Sequence, residues 1–319
     1  MSKVVVAGGG IAGIACAREL RAHGIEVEVR DRGRVVGGRM ASRWIDGRIV
    51  DSGASYFTAR GPDFLEIVDD WLTRGLVRPW TTRFPVIDGP SRTISAAMPG
   101  PLRYAAPRGI RSLVADLAAR GGVRVSHSSP VTTVEPGPMV DGEPVDAVVL
   151  AMPDPQALRH LAPELHAERA ALLGRAWTPV LALLAGWSTR RWSPIDGAFV
   201  HRDPTIEWIA DDGRRRGDNA PVLVAHSTAQ FAAGRLTDPP AAAPALTEAL
   251  RRLLGIPVEP DWTYVQRWTF ARPAAPREQT YFLGAARVGL AGDGWGEPRV
   301  ESAWRSGTDL ARAIISTLT

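Results

Sequence analysis

The sequence of 319 residues has almost no lysine and almost no cysteine. Lys3 is the only lysine, so positive charge elsewhere in the chain is carried by arginine and histidine. Cys16 is the only cysteine, which excludes a disulfide bond within the chain. Its position inside a helical pattern is typical of a small core residue.

Long apolar runs are missing as well. The longest, such as residues 180–186, are too short to cross a bilayer, and only three residues precede the first apolar run. We therefore expect a soluble cytoplasmic protein without membrane contact. The histidines are not spaced like metal ligands, so we expect no metal site.

The charge pattern does not indicate a nucleic-acid partner. The net charge is +4, and arginines alternate with acidic residues along most of the chain. Residues 214–216 form an arginine run, which we interpret as a solvated loop, with binding of an anionic substrate as the alternative. The apolar content of 45% is ordinary for a globular protein, and the length allows two domains.

Glycine, by contrast, is abundant next to an apolar strand. Residues 4–7 predict a buried strand of a parallel sheet, and residues 8–13 follow as Gly-Gly-Gly-Ile-Ala-Gly. In this pattern Gly8 permits a tight turn, Gly10 lets the backbone approach a pyrophosphate, and Gly13 lets the next helix pack closely. The helix N-terminus then offers free N–H groups to phosphates. The pattern indicates a bound dinucleotide.

Three further segments extend the dinucleotide pattern, and the last two favour FAD over NAD. A second predicted strand, residues 26–30, ends at Asp31, an acid that can accept hydrogen bonds from ribose hydroxyls. Residues 37–39 read Gly-Gly-Arg. Near the C-terminus a strand ends in Gly292 and Asp293, and a final helix is predicted from about residue 300 to 317. A protein that binds only NAD does not need this C-terminal return.

Additional motifs are spread over the whole chain. They are residues 38–43 (Gly-Arg-Met-Ala-Ser-Arg), 53–60 (Gly-Ala-Ser-Tyr-Phe-Thr-Ala-Arg), 151–153 (Ala-Met-Pro), 177–179 (Trp-Thr-Pro) and 266–273 (Gln-Arg-Trp-Thr-Phe-Ala-Arg-Pro). With the glycine motifs, they make the chain similar to the renalase-like FAD-dependent oxidoreductases of the monoamine oxidase and phytoene desaturase superfamily.

The sequence departs from that group at two places. Residues 208–217 read Trp-Ile-Ala-Asp-Asp-Gly-Arg-Arg-Arg-Gly, where such proteins tend to carry an Arg-Asn-Ser-Ser-Lys-Pro-Gly-Arg type of loop after a tryptophan. Asp211 and Asp212 are expected to place negative charge where a phosphate-bearing ligand approaches. Ser302 replaces a glycine of the final helix.

The resemblance implies how FAD is held. It places residues 51–58 beside the isoalloxazine ring, Asp293 at the ribityl chain and the backbone of Val131 at the adenine. It also implies non-covalent FAD, because covalent attachment in the superfamily uses a cysteine near the C-terminal motif. The motifs and the resemblance together assign FAD contacts to Gly8, Gly10, Ile11, Ala12, Gly13, Asp31, Arg32, Gly38, Arg39, Met40, Gly53, Ala54, Ser55, Tyr56, Val131, Met152, Gly292, Asp293, Arg299, Val300 and Ala303.

The expected fold is α/β: a Rossmann-like FAD-binding domain with an interleaved α+β substrate domain that contains an antiparallel sheet. The predicted FAD-binding domain takes residues 1–58, 105–153 and 284–319, and the substrate domain takes residues 59–104 and 154–283. Substrate-domain strands are predicted at residues 180–186, 205–210, 221–226 and 264–270. Further strands are predicted at residues 123–125, 130–134 and 145–150, and helices at residues 64–72, 110–119 and 245–254.

The resemblance also implies the chemistry. Renalase-type enzymes take hydride from dihydropyridine isomers of NAD(P)H to flavin N5, and O2 reoxidises the flavin to give H2O2. No general base is then needed, so no catalytic side chain is assigned. Amine oxidases of the superfamily typically hold a water at N5 with a lysine, and Lys3 starts the first strand, so it cannot do this.

The candidate substrate contacts are aromatic, with core packing as the alternative for each tryptophan. They are Tyr56, Phe57, Trp177, Trp208, Trp268 and Trp295. Two other functions stay open. One is an FAD-dependent oxidase or desaturase acting on an amine or a biosynthetic intermediate, and the other is a flavin-binding protein without turnover.

Overall fold

The computed structural model of the chain describes residues 2–318. In chain order its strands are β1 (Lys3–Ala7), β2 (Glu26–Arg30), β3 (Ser42–Ile45), β4 (Arg48–Asp51), β5 (Arg78–Phe84), β6 (Val86–Asp88), β7 (Met98–Ala105), β8 (Val125–Ser126), β9 (Val134–Glu135), β10 (Met139–Val140), β11 (Glu143–Pro144), β12 (Ala147–Leu150), β13 (Trp177–Gly186), β14 (Gly197–His201), β15 (Ile206–Asp211), β16 (Val222–Ser227), β17 (Trp262–Pro273), β18 (Phe282–Leu283) and β19 (Val288–Leu290). The helices are α1 (Ile11–Ala22), α2 (Pro62–Thr73), α3 (Arg111–Arg120), α4 (Asp154–Ala157), α5 (His166–Leu172), α6 (Asp212–Arg216), α7 (Ala229–Ala233), α8 (Ala243–Leu254) and α9 (Val300–Leu318).

A six-stranded sheet in the order β18-β19-β12-β1-β2-β8 carries the glycine-rich segments. Its strands are parallel except for β18, which pairs antiparallel with β19. β1 lies inside this sheet and is buried from Val4 to Ala7, because an interior parallel strand is covered on both faces. Helix α9 packs tightly on α1, since a Cβ on Gly307 would lie 1.9 Å from the Ala12 carbonyl oxygen. The predicted Rossmann-like arrangement is confirmed.

A second six-stranded sheet has the order β17-β13-β16-β15-β14-β6 and is antiparallel apart from the β14–β6 pair. One face packs apolar side chains such as Leu183 and Leu223 against Leu250 of α8. The opposite face packs Leu184 and its neighbours against Val50 of β4. That second contact brings the sheet against the chain segment that follows β4.

Most predicted elements are confirmed. The four predicted strands of the second sheet correspond to β13, β15, β16 and β17, and the predicted helices correspond to α2, α3, α8 and α9. Helix α8 ends at Gly255, which adopts a φ of 64° as a C-terminal glycine does. The interleaved domain division stays a prediction. Within residues 2–318, no helix is both long enough and apolar enough to span a bilayer.

The predicted strand over residues 130–134 is wrong except at its end, where β9 begins at Val134. The N–H groups of Thr132 and Thr133 donate to the Asp141 side chain at 2.9 and 2.8 Å instead of to a neighbouring strand. A local side-chain acceptor therefore replaces the β-ladder there. Strands β14 and β6 were not predicted.

Candidate cofactor and active site

The first glycine loop leaves one side open at the N-terminus of α1. Gly8 has a φ of 120°, and a Cβ on it would lie 2.5 Å from the Ala151 carbonyl oxygen. A Cβ on Gly13 would lie 1.9 Å from the Gly8 carbonyl oxygen, whereas a Cβ on Gly10 would meet no atom within 4 Å. Helix α1 has no side-chain cap at its N-terminus. The loop thus keeps its open space where free N–H groups and the helix dipole favour a phosphate.

Asp31 follows β2 and lies beside this loop. Its carboxylate accepts hydrogen bonds from the backbone N–H groups of Gly9 and Gly33. Both oxygens are therefore held in place by backbone, while Arg32 points outward and is exposed. A fixed carboxylate here suits an acceptor for ribose hydroxyls.

The second glycine pair, residues 37 and 38, lies between the first glycine loop and the C-terminal Gly-Asp motif. The Gly37 N–H donates to the Gly9 carbonyl oxygen at 2.9 Å, and a Cβ on Gly38 would lie 3.3 Å from the Gly10 Cα atom. The next residue, Arg39, forms a bidentate pair with Asp293 at 2.8 and 2.6 Å. Asp293 comes three residues after the last residue of β19, so the predicted FAD motifs of both chain ends are brought together.

Residues 51–56, called the flavin-side segment below, lie between this junction and the second sheet. The Ser52 N–H donates to Ala41 O at 2.9 Å, and the Ala54 N–H donates to Arg39 O at 3.0 Å. From the opposite side, the Trp268 indole donates to Ser52 O at 2.6 Å. The segment is therefore held between the glycine motifs and the face of the second sheet.

Tyr56 ends the segment in a cluster of aromatic rings. Its ring centroid is 6.0 Å from that of Trp80, 5.5 Å from Phe84 and 5.7 Å from Trp208. The guanidinium of Arg103 stacks over Phe84 at 4.2 Å. The Trp208 indole donates to Ser55 Oγ at 3.1 Å. Trp208 and Trp268 thus bind the backbone and hydroxyl of the flavin-side segment with their indole N–H groups.

Several buried polar atoms around this segment have no hydrogen-bond partner among residues 2–318, and Ser52 Oγ, Trp177 Nε1 and His226 Nε2 are among them. Trp177 lies under the Arg39 guanidinium at 5.2 Å and beside Gly294. Burial, then the charges of Arg272 and Arg215, lowers the pKa of His226 to about 4 despite a hydrogen bond with the Gly53 backbone. Buried polar groups need partners, and a flavin ring, with its carbonyl oxygens and ring nitrogens, can supply them. The residues present fit FAD.

Other predicted contacts lie at the edges of this arrangement. Arg299 pairs with Glu297, and the backbone N–H of Ala303 donates to Arg299 O at 3.1 Å in the first turn of α9. Gly292 has a φ of 141° and open space at its Cα. The remaining residues predicted to contact FAD lie at the ends of elements or beside the flavin-side segment. Met152 follows the buried end of β12, and Met40 is buried beside the segment. Val300 starts α9, and Ile11 and Ala12 start α1.

Three predicted contacts are buried in apolar clusters. Trp295 is 3% exposed, with its ring 4.0 Å below the Arg277 guanidinium and 6.2 Å from Phe282. Phe57 stacks on Tyr104 at 5.4 Å inside the core of the parallel sheet. Val131 packs with residues of β1 and β12. Trp295 and Phe57 are thus buried among core residues. Core packing was the alternative for the tryptophan, and the substrate contacts of both residues stay a prediction.

The interpretation of residues 214–216 as a solvated loop is wrong for two of the three arginines. Arg215 and Arg216 are 1% and 6% exposed, and Asp211 and Asp212 are fully buried. Arg216 Nε donates to Asp212 at 2.9 Å. Arg190 and the Trp192 indole donate to Asp211. The two carboxylates are neutralised internally and present no free negative charge to a ligand.

Comparisons with known proteins agree with this geometry. A family model described as NAD(P)-binding Rossmann-like domain matches residues 6–71, and one described as flavin containing amine oxidoreductase matches residues 74–315. Renalase of Mus musculus is 25% identical over 302 residues, which is 85% of each chain.

Solved structures share the fold over nearly the full length. A putrescine oxidase solved with putrescine bound has a TM-score of 0.75 at 16% identity, with 99% of both chains covered. Cyclohexylamine oxidase from Brevibacterium oxydans IH-35A has a TM-score of 0.75 at 14% identity over the same shares. Because a family model covers most of its length, the chain belongs to the flavin-containing amine oxidoreductase family, and it is an FAD-dependent oxidoreductase.

Proposed function

We propose that this protein oxidises a small, electron-rich hydride donor of the dihydropyridine type, such as the misplaced-hydride isomers of NAD(P)H, with O2 as the electron acceptor. Bound FAD would supply the hydride acceptor at flavin N5, and O2 would take up the two electrons with two protons to give H2O2. The similarity to renalase over 85% of both chains supports this reaction class.

The position of Lys3 is the observation that most favours a dihydropyridine donor over an amine. Lys3 begins β1, whose opposite end leads into the glycine loop, and its ammonium pairs with Glu28 at 3.4 Å. Four residue steps of strand separate it from Ala7, which is roughly 13 Å. The only lysine of the chain therefore cannot hold a water at the flavin, as amine oxidases typically do. A donor that needs no base fits such a site better than an amine.

The neutral imidazole of His226 is compatible with a donor that becomes a cation. A dihydropyridine that loses hydride becomes a positively charged pyridinium. His226, whose pKa is lowered to about 4, stays neutral near pH 7 and can hydrogen-bond without repelling that charge. The aromatic cluster around Tyr56 gives the neighbouring wall flat apolar surfaces for a planar ring.

We propose further that FAD is held without a covalent bond. Asp31 would bind the ribose, the open side of Gly10 would face the pyrophosphate, and Arg39, Asp293 and Gly292 would hold the ribityl side. Cys16 is fully buried inside α1, and burial, with a smaller effect of Glu19, raises the pKa of its thiol. A protonated thiol in the core cannot form the flavin link. Acid or heat should release intact FAD from the purified yellow protein.

Anaerobic stopped-flow reduction tests the donor. The 2- and 6-dihydro isomers of NAD(P) should bleach the flavin absorbance quickly, and ordinary 4-dihydro NADH should do so slowly because its hydride lies elsewhere on the ring. Admission of O2 should restore the absorbance and yield H2O2. Primary amines, putrescine among them, should bleach slowly.

Rapid bleaching by an amine or by a carbocyclic intermediate, with none by the dihydropyridine isomers, would assign the protein to the alternative oxidase or desaturase class. A flavin that dithionite reduces but that none of these donors reduces would indicate a flavin-binding protein without this turnover.

A further inference from the structure

Arg215 is the most deeply buried arginine around the flavin-side segment. It lies on α6 at 1% exposure. One guanidinium nitrogen donates to Asp51 Oδ2 at 2.8 Å and to the Ser55 carbonyl oxygen at 2.7 Å. The other terminal guanidinium nitrogen, Nη2, donates to Asp212. The Arg215 side chain, on the helix that follows β15, thus binds Asp51 and Ser55, which lie near the two ends of the flavin-side segment.

Each of these partners is fixed from another direction. Asp51 Oδ1 accepts from Ser42 Oγ at 2.5 Å and from the Ile110 N–H at 3.0 Å. Ser55 Oγ accepts from the Trp208 indole. Arg215 therefore joins two anchored points, and the backbone between them has little freedom to move.

The residues between these points are those that the FAD-binding proposal places beside the cofactor. A Cβ on Gly53 would lie 1.9 Å from the Arg39 carbonyl oxygen, so this residue touches the arginine that pairs with Asp293. The unpartnered hydroxyl of Ser52 is 0% exposed and lies in the same stretch. A displacement of Ser55 would move Ser52, Gly53 and Tyr56 with it.

The charges around Arg215 form a buried network. Asp51 and Asp212 supply the negative charges, and Arg216 and the partly buried Arg48 supply further positive ones. Replacement of Arg215 by lysine keeps the charge balance, which favours folding. An ammonium lacks the rigid planar fork that reaches two carboxylates and a carbonyl oxygen at once.

We propose that Arg215 is a positioning residue, which holds Ser52 and Tyr56 at fixed places beside the flavin ring and so sets the flavin's redox balance. Arg215 lies in the stretch of residues 208–217, where the sequence departs from the renalase-like loop pattern. The proposal rests on FAD binding and is independent of the donor.

The test compares Arg215→Lys with Arg214→Lys, a neighbour on the same helix whose side chain is 39% exposed and pairs with the partly exposed Asp196. FAD content, the visible flavin spectrum and the midpoint potential from a dithionite titration against reference dyes are measured on each holoprotein. For Arg215→Lys we expect wild-type FAD content, a changed spectrum and at least a tenfold change in the reduced-to-oxidised equilibrium, or ~30 mV for a two-electron couple. For Arg214→Lys we expect no change.

A wild-type spectrum and potential in Arg215→Lys would overturn the proposal, as would an equal shift in Arg214→Lys. If Arg215→Lys does not fold, the pair Arg215→Gln with Asp212→Asn removes one charge of each sign and is measured in the same way, with the same two decisive outcomes. Dithionite needs no natural donor, so a failure of the proposed donor leaves this test intact.

Discussion

At the scale of single residues, the glycines of the first loop serve two different purposes. A Cβ at Gly13 collides with the protein itself, because the Gly8 carbonyl oxygen is 1.9 Å away. A Cβ at Gly10 would meet no atom of residues 2–318 within 4 Å, and Gly10 has an ordinary φ of −77°. Gly13 is therefore required by the fold. The fold does not require a glycine at position 10, which supports the proposal that the loop binds a ligand there.

This contrast gives the first prediction. Gly10→Val should leave the apoprotein within ~0.5 kcal/mol of wild-type stability but weaken FAD binding at least roughly a hundredfold, or ~3 kcal/mol. Gly13→Ala should destabilise the apoprotein by ~1–3 kcal/mol through overpacking. Thermal melting of the apoproteins and FAD fluorescence titrations measure both. Equal effects of the two variants on apoprotein stability would contradict this assignment.

The second prediction concerns His226 and pH. Its pKa is lowered by burial from 6.5 to about 4. The unfolded chain thus binds a proton before the folded protein does, and stability falls as pH decreases from about 6.5 towards 4. We expect a loss of ~2 kcal/mol between pH 7 and pH 5. Urea unfolding at both pH values measures it, and His226→Gln should remove most of the difference. An unchanged pH dependence in that variant would contradict the prediction.

At the scale of elements, α6 shows how polar sequence can form buried structure. Asp212, Arg215 and Arg216 have the spacing i, i+3 and i, i+4, so their side chains meet on one face of a helix. Burial alone would raise the pKa of Asp212, but the charges of Arg215, Arg216 and Arg48 outweigh it and lower that pKa. The network therefore stabilises the fold above the unfolded aspartate pKa of about 4 and loses that contribution at lower pH.

Removal of one charge from this network should be costly. Asp212→Asn leaves three arginines without their common carboxylate and should destabilise the protein by ~3–5 kcal/mol. The control is Asp196→Asn, because Asp196 is 30% exposed and pairs with Arg214 at the surface. That variant should lose ~0–1 kcal/mol. Urea midpoints at pH 7 compare the two, and similar losses would show that the network does not stabilise the fold.

The sequence predicted best those elements whose apolar pattern is complete. β1 and β12 are uninterrupted apolar runs, and α8 has an amphipathic pattern with a glycine stop. By contrast, β6 has three residues and joins its sheet by pairing with β14, a partner more than a hundred residues away. The run of acidic and basic residues in α6 is typical of a solvated loop. Only the spacing between its aspartate and arginines could have indicated the buried ion pairs.

The candidate site was predictable to a similar degree. The glycines and Asp31 could be identified as candidate FAD contacts because their roles follow from the backbone pattern of neighbouring residues. The contacts of Trp208 and Trp268 with the flavin-side segment join residues 153 and 216 positions apart, so no local pattern reveals them. Arg215 and His226 matter because they are buried beside that segment, which depends on how the two sheets meet.

At the scale of the whole molecule, the two sheets share the flavin-side segment. Tryptophans of the second sheet bind Ser52 and Ser55, while the N–H groups of Ser52 and Ala54 donate to Ala41 and Arg39 beside the second glycine pair. Separation of the sheets would part Asp51, at the end of β4, from Arg215 and Arg216 of α6 and so break buried ion pairs. The sheets should therefore fold and unfold together.

The fourth prediction follows from this coupling. In urea, tryptophan fluorescence, which reports on side-chain packing around both sheets, and far-ultraviolet circular dichroism, which reports on all helices and strands, should each show a single transition at the same urea concentration. FAD at a hundred times its dissociation constant should raise the free energy of unfolding by ~2.7 kcal/mol. The urea midpoints from both probes should therefore shift equally. Two separate transitions, or a shift of only one probe, would show that the sheets unfold independently.

The single lysine has a practical consequence for biosensor chemistry. Lys3 carries the only side-chain amine, and it lies at the end of β1 opposite the glycine loop, with 35% of its side chain exposed. Reagents that couple to amines, such as succinimidyl esters, can therefore attach at this side chain and at the chain's α-amino group, but at no arginine. A protein tethered to an electrode through Lys3 would present its cofactor side away from the attachment point.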